Sequence, residues 1–218
     1  MIDTVIFDMD GVLSDTEKSR FETLKKLLIQ HNILLHEDDI KDMVGKKTGK
    51  FLEEKYSDKL SNEDIQKIVK KRKYYLMEYP KDYIFAFPYA KQIPRLLKDK
   101  DYTLILVSSA QRKVIDVTLD LFEITDCFDY IVSADDVNNF KPDPEPYLKA
   151  LHLAKKDSKQ ALVIEDTPVG IESAKEAGIK VVGITQTRFK DELSKADIII
   201  DSLDEIIEVI EDFNLLDY

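Results

Sequence analysis

Short runs of aliphatic and β-branched residues, each stopping at a polar or glycine-containing turn, punctuate this chain. They lie at TVIFD, TLILVSS (103–109), DYIVSA (129–134), ALVIED (161–166), KVVGIT (180–185) and ADIIID (196–201). Apolar runs of this length without alternation fit strands buried on both faces. Between the later runs the apolar residues recur at helical spacing, which predicts helices over 90–98, 113–121, 145–154 and 168–177. The last of these has Thr167 as N-cap, Pro168 at its first helical position and Gly178 just past its end. Alternating strand and helix predicts an α/β fold built on a doubly wound parallel sheet.

Residues 17 to about 84 break that alternation. Phe21, Leu24, Leu27 and Leu28 share one helical face within 20–30, and Ile65, Ile68, Val69 and Leu76 do so within 62–79. No strand-like run of comparable length interrupts them. The expected organisation is therefore a sheet core of residues 1–14 and 86–218 with an all-helical insert, 15–85, after the first strand. From Asp201 to Asp217, Leu203, Ile206, Ile207, Ile210 and Phe213 predict a terminal helix against the sheet.

Composition narrows the function classes. The 218 residues, 44% hydrophobic, suffice for one sizeable core with a smaller accessory module. No apolar run approaches a membrane span, and MIDTVIFD lacks the basic start of a secretion signal, so a cytoplasmic protein is expected. The single Cys127 has no disulfide partner within the chain and suits a reducing compartment. His31, His36 and His152 are scattered far from the clusters below, which argues against a histidine triad or zinc site. A net charge of −11 speaks against nucleic-acid binding. The stretch 15–84 nevertheless carries 16 Lys and Arg against 14 Asp and Glu, leaving −13 on the remainder. A mildly basic insert in an acidic protein suits a small anionic substrate, and solvated helix faces account equally well for most of those lysines.

In open parallel sheets, ligands bind beyond the carboxyl ends of the strands. Four polar clusters fall there. Asp8-Met9-Asp10-Gly11 places two carboxylates around a tight turn. An aspartate can accept a phosphoryl group, and a second carboxyl can act as general acid and base; a capped turn is the plainer alternative. Ser108 and Ser109 can hold phosphate oxygens or cap a helix. Lys141, in NFKPDP, sits in a loop stiffened by Pro142 and Pro144 and can balance a carboxylate cluster. Glu165-Asp166 offers two hard oxygen ligands of the kind magnesium takes, although Asp166 could cap a helix and Glu165 could be a surface charge. Chance explains each cluster singly far better than it explains all four in one sheet.

The segments FDMDGVLSDTE (7–17), LVSSA (106–110), KPDPEPY (141–147) and VIEDTPVGIESAKEAG (163–178) together resemble the haloacid dehalogenase superfamily. The resemblance spans almost the whole chain and is closest to the phosphatases and phosphomutases with a helical cap after the first motif. It implies a Rossmann-like core with the insert as cap. It further implies Asp8 as nucleophile, Asp10 as acid/base, and Ser108 and Lys141 on the transferring phosphoryl group. Magnesium would be held by Asp8, the Asp10 carbonyl and Asp166, with Glu165 close by. Dehalogenation in this superfamily needs neither a metal nor an acid/base at the second position, so phosphoryl transfer is expected.

Within the insert, the basic glycine-flanked segment GKKTGK (45–50) is read as a turn, offering Lys47 and Thr48 to a substrate, and Lys73 lies late in a helix. The β-phosphoglucomutases are similar here, but have a histidine where this chain has Arg20 and an arginine in the cap turn where it has Thr48 flanked by lysines. Arginine cannot release a proton near neutral pH. Arg20 is read either as a phosphate or carboxylate ligand or as a surface residue. The favoured expectation is a monomeric, magnesium-dependent phosphatase of a small phosphorylated metabolite, with a hexose-phosphate mutase second and a non-catalytic phosphate-binding protein third.

Overall fold

The protein is described by a computed structural model that covers residues 1–216. Each of the six apolar runs forms a strand: β1 (Thr4–Phe7), β2 (Thr103–Val107), β3 (Tyr130–Val132), β4 (Ala161–Glu165), β5 (Lys180–Ile184) and β6 (Ile198–Ile200). All neighbours pair in parallel, in the order β3-β2-β1-β4-β5-β6. The strand order reverses between β1 and β4. Loops leaving those two strands diverge there, and the sheet opens a crevice at its carboxyl edge. Phe7 is level with both Leu106 and Ile164, so the residues that follow them emerge side by side.

The chain divides into two compact units, Met1–Ser14 with the residues from Ala86 onward, and Asp15–Phe85. In the second unit, α1 (Thr16–Leu28) starts under the Asp15 carboxylate, which accepts from Lys18 N at 2.9 Å. It is followed by α2 (Asp39–Met43), α3 (Thr48–Tyr56), α4 (Asn62–Glu78) and α5 (Pro80–Tyr83). A capping box between Ser61 and Asp64 fixes the start of α4. Phe21, Leu24 and Leu28 of α1 meet Phe51 and Leu52 of α3 and Ile65 and Ile68 of α4 in one buried cluster.

Two readings of this unit change. The basic turn is confined to Gly45–Lys47: Lys47 is the N-cap residue of α3, and Thr48 and Gly49 are its first helical residues. Burial of Phe51, Leu52 and Tyr56 on one side of α3 draws the preceding residues into the helix. Arg20 is not a surface side chain, being only 9% exposed. Its guanidinium donates to Lys46 O at 2.5 Å, to Met43 O and to the Glu17 carboxylate. An arginine at this position joins α1 to the segment between α2 and α3 because its planar fork serves several acceptors at once.

The helices of the sheet unit are α6 (Gln92–Asp99), α7 (Arg112–Phe122), α8 (Glu145–Ala154), α9 (Pro168–Glu176) and α10 (Ile206–Leu216). Asp217, the end of the expected terminal helix, lies outside the described residues. Side chains alternate across a strand. Ile6, Ile105, Val107, Val163 and Val181 therefore share one face, where they bury Tyr147, Ala150, Ile171 and Ala174 of α8 and α9. Val5, Phe7, Leu104, Leu106, Leu162 and Ile164 point the other way and are equally buried. Covering both faces explains why the strands read as unbroken apolar runs.

Candidate active site

Asp8 follows β1 directly, and its N–H donates to Ile164 O at 3.0 Å, so the β1–β4 ladder continues through it. The turn beyond is closed by hydrogen bonds from Leu13 N and Ser14 N to Met9 O and from Gly11 N to Ser14 O. Gly11 has φ +93, and a Cβ there would lie 2.0 Å from Asp166 Oδ2. Glycine is thus required twice over, for the backbone angle and for the close approach of β4's carboxylate.

Lys141 reaches the same point from the loop before α8. That loop contains a cis Lys141–Pro142 bond. Glu145 accepts from Asn138 N and Asn139 N at 2.9 and 2.8 Å, and Ser173 Oγ donates to Asp143 O at 2.6 Å. The lysine side chain is 6% exposed. Its Nζ donates to Asp8 Oδ1 and Glu165 Oε1, both at 2.6 Å, and to Val107 O at 3.4 Å, and it sits 4.9 Å from the centre of the Tyr147 ring. A buried charge costs several kcal/mol unless paired and hydrogen-bonded, and here each ammonium N–H has an acceptor.

Glu165, 1% exposed, is not a surface charge. Its Oε1 also accepts from Tyr147 OH at 2.8 Å, and its Oε2 accepts from Asp166 N, Thr167 N and Thr167 Oγ1 at 3.1 to 3.2 Å. A Cβ on Gly170 would lie 1.9 Å from Glu165 Oε1, so the first turn of α9 presses against this carboxylate. Thr167 accepts from Gly170 N and caps α9, which leaves Asp166 free of that task. Asp166 Oδ2 accepts from Thr187 Oγ1, whereas its Oδ1 is buried without any hydrogen-bond partner. Ser108 Oγ accepts from Ala110 N at 3.1 Å and reaches Asp10 Oδ2 at 3.5 Å; the residue before α7 is Gln111, so Ser108 is not its cap.

The electrostatics follow from this crowding. Burial pushes the Asp8 carboxyl well above its usual value; Lys141 opposes this, while Glu165, Asp166 and Asp10 add to it. Burial disfavours the Lys141 charge, but Asp8 and Glu165 outweigh burial and hold that lysine protonated well above the usual range. Burial and then Glu165 raise Asp166 to about 7, against the hydrogen bond from Thr187 and the charges of Arg188 and Lys141. Asp8 and Glu165 thus share the Lys141 ammonium while Asp166 and Asp10 crowd the same point, with Arg188 acting on Asp166, and a further cation would relieve the remaining repulsion. Oxygens of Asp8, Glu165 and Asp166 lie within 4.8 Å of one another, and the unpartnered Asp166 Oδ1 is among the hard oxygen donors available. These residues fit magnesium.

The structure therefore brings together Asp8, Asp10, Ser108, Lys141, Glu165 and Asp166. Ser109 is exposed and makes no side-chain hydrogen bond among the described residues. Arg20, Lys47, Thr48 and Lys73 belong to the helical unit, where Lys47 and Lys73 are exposed and Thr48 is half-buried. Sequence reasoning missed Tyr147, Gln186 and Thr187. Tyr147 lay inside a recognised segment but carried no charge to draw attention. Gln186 and Thr187 follow β5, and the same rule of strand ends that singled out Ser108 points to them.

A Rossmann-like sheet with carboxylates and a lysine gathered at its strand-order reversal defines a class of phosphoryl-transfer folds. Residues 5–184 match the haloacid dehalogenase-like hydrolase family, and the chain belongs to it as a phosphatase-type enzyme. It is 31% identical to the phosphoglycolate phosphatase of Aquifex aeolicus, covering 81% of each chain. It is 25% identical to a pyrophosphatase of Bacillus cereus, covering 98% of each. A solved structure from Thermotoga maritima, provisionally assigned as a β-phosphoglucomutase, shares the fold with a TM-score of 0.80 and 29% identity, covering 97% of this chain and 99% of that one.

Proposed function

We propose that this enzyme is a magnesium-dependent phosphatase that hydrolyses a small phosphorylated metabolite, a sugar phosphate or similar monoester, through an aspartyl phosphate on Asp8. The observation that carries this reading is the pairing of Asp8 Oδ1 with the buried Lys141 at 2.6 Å, which leaves Oδ2 to act as nucleophile. The O–P bond to Asp8 forms as the bond to the leaving oxygen breaks, and Asp10 gives its proton to that oxygen. Asp10 then takes a proton from water as the water oxygen attacks phosphorus, the Asp8 O–P bond breaks, and phosphate leaves. Ser108 and Lys141 hold the phosphoryl oxygens through both steps. Magnesium, held by Asp8, the Asp10 carbonyl and Asp166 with Glu165 adjoining, would neutralise charge on those oxygens.

Residues 15–85 act as the cap that selects the organic part of the substrate. Water is favoured over a sugar hydroxyl as second acceptor because the Arg20 guanidinium is already bound to Glu17, Met43 O and Lys46 O and cannot act as an acid or base near neutral pH. Phosphate release from a panel of sugar and nucleotide monoesters with magnesium tests the proposal. Asp8→Asn should abolish turnover, and retained turnover refutes the mechanism. Conversion of β-glucose 1-phosphate to the 6-phosphate, primed by the bisphosphate, would replace it with the mutase reading.

A further inference from the structure

The segment after β5 touches both sides of the carboxylate cluster. It is anchored at its start, where Thr185 N donates to Ile200 O at 3.1 Å and Thr185 Oγ1 to Asp201 Oδ1 at 2.6 Å. Two residues on, Thr187 Oγ1 is the one side-chain donor to the Asp166 carboxylate among the described residues. Between them, the Gln186 side-chain amide lies 3.0 Å from both Gly11 O and Val12 O; two carbonyls facing it assign its nitrogen to that side, from which it donates to both. Arg188 Nη1 donates back to Thr187 O at 3.0 Å.

A carboxylate on a fixed backbone turns about its own axis, so a donor that holds one oxygen sets the direction of the other. Thr187 holds Oδ2 of Asp166, and Oδ1 is the buried oxygen with no partner. Gln186 acts on the opposite wall. It ties down the carbonyls just beyond Asp10, in the turn whose Gly11 lies so close to Asp166 that a Cβ would meet the carboxylate. Adjacent residues thus restrain the two segments that must keep a fixed separation for one ion to be shared between them.

We infer that Gln186 and Thr187 are positioning residues for the divalent cation: Thr187 aims Asp166 Oδ1, and Gln186 holds the Asp10–Val12 turn at the matching distance. This inference rests on the proposal that Asp8 and Asp166 bind magnesium. Neither side chain needs to touch substrate or ion. Hydrogen-bond partners that orient metal ligands typically contribute 10- to 100-fold to metal affinity.

The test is a magnesium titration of the wild type, Thr187→Val, Thr187→Ser and Gln186→Leu, followed by calorimetry without substrate and by phosphate release. Thr187→Val keeps the shape of the side chain and removes the donor. Its magnesium half-saturation should rise by roughly 10-fold or more, with most of kcat recovered at saturating magnesium. Thr187→Ser restores the hydroxyl and should restore the wild-type midpoint, which a purely steric role would not require. Gln186→Leu should raise the midpoint with Thr187 intact, an independent reading should Thr187→Val fold poorly. Thermal midpoints in excess chelator should fall by several degrees for Thr187→Val and Gln186→Leu, as lost hydrogen bonds to buried groups require, and the titrations are run at a temperature where all four proteins are folded. If the wild type binds magnesium and releases phosphate while Thr187→Val and Gln186→Leu titrate as it does, this inference is overturned and the phosphatase proposal stands. If the wild type neither binds magnesium nor turns over any monoester, both fall.

Discussion

Glu165→Gln separates what holds Lys141 in place from what holds a metal. The wild-type carboxylate accepts from Lys141 and Tyr147 on one oxygen and from Asp166 N, Thr167 N and Thr167 Oγ1 on the other. A glutamine must turn its NH2 toward one of these sets, placing donors against donors, and it removes one of the two charges that face Lys141. Leaving a buried ion short of its partner costs about 3–5 kcal/mol. Two lost hydrogen bonds to a charged group, at about 1.5–3 kcal/mol each, give about 3–6 kcal/mol, which overlaps that range. In a chain of 218 residues, where 1 kcal/mol moves Tm by about 2–4 °C, the variant should melt roughly 6–20 °C lower. The assay is calorimetry in excess chelator, supported by urea unfolding, because the bonds from Lys141 and Tyr147 require no cation. Tyr147→Phe, which removes only one donor, should lose about half as much. A Glu165→Gln protein within about 1 kcal/mol of wild type in chelator, or one weakened only when magnesium is present, would refute the reasoning.

Two further outcomes follow from the charges. A carboxyl raised to about 7 from 3.8, as Asp166 is, binds its proton more tightly folded than unfolded, so the metal-free protein should lose stability as pH rises through that window and level off above it. Saturating magnesium should flatten the decline, and a metal-free urea midpoint that climbs between those values would contradict the assignment. In the helical unit, Arg20→Met should cost about 2–4 kcal/mol by stranding the carbonyls of Met43 and Lys46, and Arg20→Lys should recover less than half because one ammonium cannot span both carbonyls and Glu17. Full recovery by lysine in urea unfolding would show that charge alone matters there.

The sequence by itself determined the six strands, because a strand buried on both faces must be apolar throughout, and runs such as TVIF and ALVI admit few other readings. It also determined which polar residues stand at strand ends, since Asp8, Ser108 and Asp166 follow those runs directly. Only the tertiary structure decided what each of them touches. Helices α2 and α5 are too short to show a period, and α3 absorbed Thr48 because Phe51, Leu52 and Tyr56 needed burial. Arg20 reads as one more basic residue until Met43 and Lys46, more than 20 positions away, supply carbonyls to it. Glu165 and Asp166 are neighbours of like charge, yet one is saturated by donors from Lys141, Tyr147 and Thr167 while the other keeps a bare oxygen. That difference is set by which donors arrive from elsewhere in the fold: Lys141, Tyr147 and Thr167 at Glu165, and Thr187 alone among described side chains at Asp166. Local pattern encodes the strand and its exit; the identity of the groups arriving from distant loops is fixed only when the sheet assembles.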